Sequence, residues 1–325
     1  MISRAPEGVE APKATSRRTA VLILNWNRAD DTIECLESLT KMEGDGHFPV
    51  VVDNGSTDDS MARIVERFPD LHVLENGENL GFAEGNNRGI EHSLALGADY
   101  VLILNNDVIV DPGLMRELLA AADAHPEAGV FGARVFDYKE PQKIQYGGAE
   151  WRSKTGHFYI TDLNQTEADS KIHGVTSIPW ACGCAFLARA EVFRKVGLMD
   201  PRYYLLWEEI DWCSRARAGG FDVVLVPDAK VWHKGSQSFD GGTFGALRSY
   251  YHWRNRMLWV EREFSFGQRC KFYGRAMLPQ IHRRLRAAIS PRSKPEHRKV
   301  ARAEILGLWH YLVRRFGPAP DSVKA

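Results

Sequence analysis

The chain of 325 residues contains no apolar run near the roughly 20 residues that a membrane-spanning helix needs. Its first 18 residues are rich in Pro, Ala and charge and lack the apolar stretch of a signal peptide. Cysteine is scarce. The five that occur, at 35, 182, 184, 213 and 270, are odd in number and sit mostly within apolar or helical stretches. That usage speaks against a disulfide framework and for a reducing compartment. Cys182 and Cys184 are one residue apart with no second pair, so they do not make a zinc site. Neither G-x-G-x-x-G nor a P-loop is present, which argues against a dinucleotide oxidoreductase or a kinase-like NTPase. Internal repeats are absent, and no Pro/Gly/Ser linker divides residues 19–240. The chain reads as cytoplasmic, at most lying on the inner face of the plasma membrane.

Net charge is also missing, since 42 Lys+Arg face 42 Asp+Glu, but the balance is uneven. From Arg248 onward there are 18 Lys+Arg against 5 Asp+Glu, so this end carries +13 and the rest −13. Such asymmetry suggests a basic surface for phosphate, nucleic acid or anionic lipid, although a solvated helical face accounts for it equally well. No recognised nucleic-acid motif accompanies it, which leaves peripheral contact with anionic lipid as the partner reading. A homo-oligomer is left open.

What is present is a repeated unit of apolar strand, polar tip and helix. Thr19–Asn27 (TAVLILNWN) is a buried parallel-strand run, followed by a helix opened by Asp30 and Asp31 with Ile33, Leu36 and Leu39 on its inner face. PVVVDNGSTDDS repeats the pattern, with a helix capped near Asp58 or Asp59. A third strand, a helix over about 83–96, the strand YVLILNN and a helix after Pro112 follow. Strands and helices alternating at this spacing predict a mostly parallel, Rossmann-like α/β sheet with ligands at the carboxyl ends of its strands. Residues 130–178 read as less regular strands and loops over that rim. Beyond them the sequence predicts a strand and short helix ending at Gly197, a helix ended by Gly219 and Gly220, and a last strand pair. Segment 1–18 is expected to be disordered, 19–240 to form the α/β domain, and 241–325 a basic, mainly helical extension.

Three strand tips carry polar clusters: Asn25-Trp26-Asn27, Asp53-Asn54-Gly55-Ser56 and Asn105-Asn106-Asp107. Asx and Gly make good turns, which covers any one tip better than all three. Asp107 is placed to hold Mg²⁺ or Mn²⁺, ions that bridge one or two carboxylates to substrate phosphates. Asn105 and Asn106 offer neutral hydrogen bonds, and Asp53 an acceptor for a base N–H or ribose. Trp207-Glu208-Glu209-Ile210-Asp211-Trp212 sets three acids in about one turn of helix between indoles. An acid beside aromatic walls can have a raised pKa and act as a general base, and indole faces suit sugar rings. His233 follows a strand and is either structural or a ligand for an Mn²⁺-like ion.

The strings VLILNWN, VVVDNGSTDDS, ENLGFAEGNNRGI, ADYVLILNNDV, VGLMDPRYYLLWEEIDWCSRARAGG and VWHKGSQS together resemble the nucleotide-sugar-dependent glycosyltransferases of family 2, in the bacterial rhamnosyltransferase-like branch. The match runs from about residue 19 to 238. It implies a GT-A fold and an inverting, divalent-metal-dependent transfer to a cell-surface glycan or lipid-linked acceptor. The leading donor is dTDP-L-rhamnose, with UDP-hexose and galactofuranose donors open. By position, Asp53 would recognise the pyrimidine or its ribose, with Asn25, Asn27, Asn54, Asn79, Gly81, Phe82, Asn86, Asn105 and Asn106 completing the nucleotide-sugar side. Asn105-Asn106-Asp107 stands at the family's D-x-D motif, with Asp107 and His233 as the implied metal ligands. Glu208-Glu209 stands at its Glu-Asp pair, one methylene longer, so Glu209 is the candidate base and Asp211 the fallback or an orienting partner. Trp180, Cys182 and Gly183 lie where the family shapes its acceptor pocket, with Trp207 beside them. A nucleotidyltransferase lacks a Lys/Arg triphosphate clamp at the rim. A non-catalytic nucleotide-sugar-binding scaffold would explain the Asn-for-Asp changes differently.

Overall fold

A computed structural model describes residues 17–235 and 245–324. Residues 1–16, most of the segment expected to be disordered, and the Ser236–Ser238 end of the last motif lie outside the described residues.

The first half is built as its sequence pattern dictates. Strands β1 (Thr19–Asn25), β2 (His47–Asp53), β3 (His72–Glu75) and β4 (Tyr100–Asn105) lie parallel in the order β3-β2-β1-β4. Helices α1 (Ala29–Leu39), α2 (Ser60–Arg67) and α3 (Gly81–Ala95) make the crossovers. The register pairs Asn25 with Asp53 and Leu24 with Asn105, so the polar tips come to one edge. Asp30 and Asp31 stand in the first turn of α1, where a carboxylate complements the helix dipole.

Beyond β4 the chain departs from simple alternation. β5 (Val108–Val110) and α4 (Leu114–Ala124) lead to β6 (Ala128–Asp137), a ten-residue strand buried along nearly all its length. The less regular segment therefore begins inside the sheet, its first strand hidden by Gly129, Gly132 and Arg134. Short strands β7 (Ile144–Tyr146) and β10 (Thr176–Ser177) pair with the sheet, while β8 (Ala149–Arg152) and β9 (His157–Ile160) form a separate hairpin. β11 (Ala185–Arg189) inserts antiparallel between β4 and β6, and α5 (Ala190–Val196) and α6 (Glu208–Ala218) follow. The expected last strand pair is one strand, β12 (Asp222–His233). Its pairing with β6 jumps from Val226–Ala133 to Lys230–Arg134, a bulge at Pro227 that bends it.

The helices after residue 245 are α7 (Ala246–Glu263), α8 (Phe266–Phe272), a π-helical turn (Tyr273–Met277), α9 (Leu278–Ile289), α10 (Pro295–Leu312) and the short α11 (Asp321–Lys324). α7 is no detached tail, because Trp253, Met257, Trp259 and Val260 are buried in the same core as the sheet.

Helix α3 shows how tightly the layers meet. A Cβ on Gly89 would stand 2.2 Å from Leu22 Cδ1 and 2.7 Å from Val52 Cγ2. Gly89→Ala gains about 1 kcal/mol of helix preference, but overpacking costs about 1–3 kcal/mol. A net loss of about 1 kcal/mol is expected in urea denaturation.

Candidate active site

Hydrogen bonds tie the strand tips into one rim. Asn25, fully buried at the end of β1, donates from Nδ2 to Asp53 (3.2 Å) and to Ser56 Oγ (3.1 Å). Its Oδ1 accepts from Thr32 Oγ1 at 2.6 Å, and Thr32 accepts from Asn106 Nδ2 at 3.0 Å. Asp53 also accepts from the Ser56 hydroxyl and backbone N–H. A carboxylate has about four acceptor positions, so room remains for one ligand N–H or O–H. Asn27, with φ 57° and followed by Arg28 at 61°, turns the chain sharply and accepts from Thr57 N at 2.9 Å. Between them Trp26 is 46% exposed, a flat apolar surface on the rim that the sequence reading passed over.

Several rim residues hold the rim rather than present themselves. Asn54 is buried and uses its whole amide on the adjoining loop. It donates to Asn79 Oδ1 and Gly81 O and accepts from Asn76 Nδ2 and Leu80 N. Asn86 is buried and donates to Phe82 O at 2.8 Å. Asn79 accepts from Gly81 N, and Phe82 N donates to Tyr204 O at 2.6 Å. A Cβ on Gly81, at φ 81°, would meet Tyr204 at 2.6 Å. The loop 79–82 thus leans on the segment leading into α6. Asn105, like Asn86, keeps a buried Oδ1 without a hydrogen-bond partner.

Asp107 and His233 are brought together by the antiparallel pairing of β5 with the end of β12, which sets Val108 opposite His233. His233 Nε2 lies 3.2 Å from Asp107 Oδ1, and both residues are buried. Burial alone would lower the imidazole pKa, but the carboxylate outweighs it and raises it. Gln145 Oε1 stands 2.6 Å from His233 Nδ1, placed to accept a hydrogen bond from its N–H, and Nε2 faces Asp107. Nε2 itself has no hydrogen-bond partner of good geometry. A divalent cation fits this pair, because cis ligand atoms about 2.1 Å from one ion lie about 3 Å apart. Among the described residues no third His, Cys, Asp or Glu joins them, leaving the other positions to water and phosphate oxygens.

Glu208 and Glu209 open α6 on a strained approach. Tyr204, Leu206 and Trp207 all have positive φ (63°, 67° and 78°), conformations a non-glycine residue holds only when its surroundings impose them. They are imposed by α7. The buried Asn255 donates to the carbonyls of Tyr203, Leu205 and Leu206 at 2.7–2.9 Å, and the buried Arg254 to that of Tyr203 at 2.8 Å. Both Glu208 and Glu209 have an Oε2 that is buried and unpaired. Burial pushes the Glu209 carboxyl up to about 7 against the helix-start N–H groups that lower it. Burial, and then the Glu209 charge, push Glu208 well above the usual carboxylate range.

Asp211 is not a free base. It is fully buried, accepts from Tyr203 Oη at 3.0 Å, and is paired with Arg215 (3.0 Å) and Arg262. Its contacts tie the first turn of α6 to Tyr203 and to α7.

On the third side, Gly183 faces Glu209: a Cβ there would lie 3.5 Å from Glu209 Cδ. Cys184 O accepts from Asn105 N at 2.9 Å, so the turn 182–184 joins the Asp107 tip to Glu209. Cys182 and Cys184 bring their sulfurs to 3.4 Å as free thiols. Trp180 and Trp207 are buried and packed on Phe158, each at 6.0 Å between ring centroids. Trp207 Nε1 donates to His252 Nδ1, whereas the buried Trp180 Nε1 has no acceptor. Trp207 is thus engaged within the protein, whereas Trp180 keeps an unpaired Nε1–H.

The family model for Glycosyl transferase family 2 matches residues 20–197, more than half of the chain. The chain belongs to that family. It is similar to an N-acetylglucosaminyl-diphospho-decaprenol L-rhamnosyltransferase of Mycobacterium tuberculosis, 29% identical over 58% of this chain and 67% of the relative. Galactofuranosyltransferase GlfT1 of the same organism is 27% identical over 71% of this chain and 75% of the relative. Among solved structures, GalNAc-T7 with UDP, GalNAc and Mn²⁺ superposes with a TM-score of 0.62 at 13% identity. That superposition covers 93% of this chain but 57% of GalNAc-T7, a likeness of GT-A fold. Glu209 and His233 lie beyond the residues that the family model matches.

The Asp211 cluster gives a stability prediction. Removing one partner of a buried ion pair strands the others, so Asp211→Ala should destabilise the fold by roughly 3 kcal/mol. Guanidinium denaturation measures this, and a change below about 1 kcal/mol would mean the pairs are solvated.

Proposed function

We propose that this chain is an inverting, divalent-metal-dependent glycosyltransferase. It would move a hexosyl group, L-rhamnose from dTDP-rhamnose before UDP-hexose or galactofuranose donors, to a hydroxyl of a cell-surface glycan or lipid-linked acceptor. The observation that carries the reading is the juxtaposition, across the turn 182–184, of the Asp107–His233 pair with the partly buried Glu209. One end suits a diphosphate and the other an acceptor hydroxyl.

Asp107 and His233 would hold the divalent ion, which supplies charge neutralisation to the departing diphosphate. Asp53 accepts from the base or ribose, with Trp26 as an apolar surface beside it. Asn105 and Asn106 face the donor as neutral groups. Glu209 takes the proton of the acceptor hydroxyl as its oxygen bonds to the anomeric carbon and the bond from that carbon to the diphosphate oxygen breaks. One attack with no covalent enzyme intermediate inverts the configuration, through an oxocarbenium-like transition state. Glu208, held well above the usual carboxylate range by burial, lies beside it, and the unpaired Trp180 Nε1–H is the donor proposed for the acceptor. The alternative of a non-catalytic scaffold is disfavoured by Glu209, a carboxyl with an unpaired Oε2 beside Gly183 and a pKa raised by burial to about 7.

A panel of nucleotide sugars with Mn²⁺ tests the donor, read as thermal stabilisation and as transfer. Glu209→Gln should abolish transfer, by at least about 10³-fold, while stabilisation by dTDP or UDP with Mn²⁺ is kept. Turnover retained in that variant rules Glu209 out as the base. Glu209 is idle when protonated, so kcat/KM should rise with pH through about 7 and level above it. A pH-independent rate between 5 and 9 would contradict a titrating base of this kind.

A further inference from the structure

We propose that the outer face running from the end of α8 through α9 is the surface by which this chain docks on an anionic lipid bilayer. From Phe264 to Pro295 the sequence contains eight Lys and Arg and no Asp or Glu. Among the exposed positions of this run, 271, 275, 278, 282, 285 and 289 stand three or four residues apart and so share one side of it. Leu278, Leu285 and Ile289 on that side are 61%, 47% and 80% exposed. Single exposed apolar residues are ordinary, but a stripe of them about three turns long is not. Lys271, Arg275, Arg283 and Arg286 flank the stripe, all of them exposed. Apolar centre and cationic margin are the two parts an in-plane helix needs at the boundary between acyl chains and anionic headgroups. A nucleic acid would use the cations and leave the leucines and isoleucine in water.

The orientation of this face is fixed from behind. Gln280 donates to Thr155 O at 3.1 Å, and a Cβ on Gly156 would meet Phe272 at 2.5 Å and Ala276 at 3.2 Å. Arg284 turns inward to Glu304 of α10 at 2.7 Å. The β8–β9 hairpin thus clamped carries Phe158, which packs on Trp180 and Trp207. A bilayer under α9 would bring the acceptor side of the site toward the lipid surface. That consequence rests on the proposed lipid-linked acceptor, whereas docking itself does not.

The test is flotation of the full chain with vesicles of phosphatidylcholine alone or mixed equally with phosphatidylglycerol. Binding to the anionic vesicles is expected, weakened by salt. Leu285→Glu/Ile289→Glu and, separately, Arg283→Ala/Arg286→Ala should each weaken it by about tenfold or more. In both double variants, thermal stability and transfer to a water-soluble acceptor should be unchanged. If wild-type chain ignores anionic vesicles, binds neutral ones equally, or floats as well with both glutamates in place, the proposal is overturned. Absent transfer with intact flotation would instead overturn the glycosyltransferase reading and leave the docking face standing.

Discussion

The short pairing of Val108–Val110 with Val231–His233 holds the candidate site together, since it joins two residues that lie 126 positions apart in the chain. Asp107 is fixed because Asn106 beside it is tethered to Thr32 and because Lys234 N donates to the Asp107 carbonyl at 3.0 Å. His233 arrives because β12 bends at Pro227 and pairs with β5 as well as β6 over its last residues. A buried imidazole and carboxylate 3.2 Å apart are held together by a proton on the facing nitrogen or by a common cation. The Gln145 contact sets the imidazole for either.

The other half of the site depends on a contact from outside the matched region. Three non-glycine residues with positive φ before α6 would each cost about 1–3 kcal/mol if unsupported. Asn255 and Arg254 supply that support by taking the loop's carbonyls, and α7 is held in turn by its tryptophans in the main core. Glu209 therefore stands where it does because of a helix that contributes nothing directly to the donor rim.

Much of this was legible in the sequence. β1, β2 and β4 are apolar runs ending on polar residues, and the period of strand and helix set their order. Asp107, His233 and Glu209 were singled out by residue type and by the family's pattern. What escaped notice has physical causes. β6 is interrupted by Gly129, Gly132 and Arg134, each explained only by a neighbour close in space. Asn54 looks like a ligand group, yet its amide is taken up by the loop beneath, which residue type does not disclose. Asp211 shares a turn with Glu209 and differs from it only through Arg215 and Arg262, the latter 51 residues away. Asn255 and Arg254 read as part of a basic solvated helix until the carbonyls they hold are seen.

The central claim is that Asp107 and His233 act as one metal site facing a nucleoside diphosphate. Anomalous diffraction at the manganese edge, from crystals grown with Mn²⁺ and dTDP, tests it most directly. The account predicts one peak bonded to Asp107 Oδ1 and His233 Nε2 and to phosphate oxygens of the nucleotide. Nucleotide bound at the rim with no peak between those two side chains would contradict it.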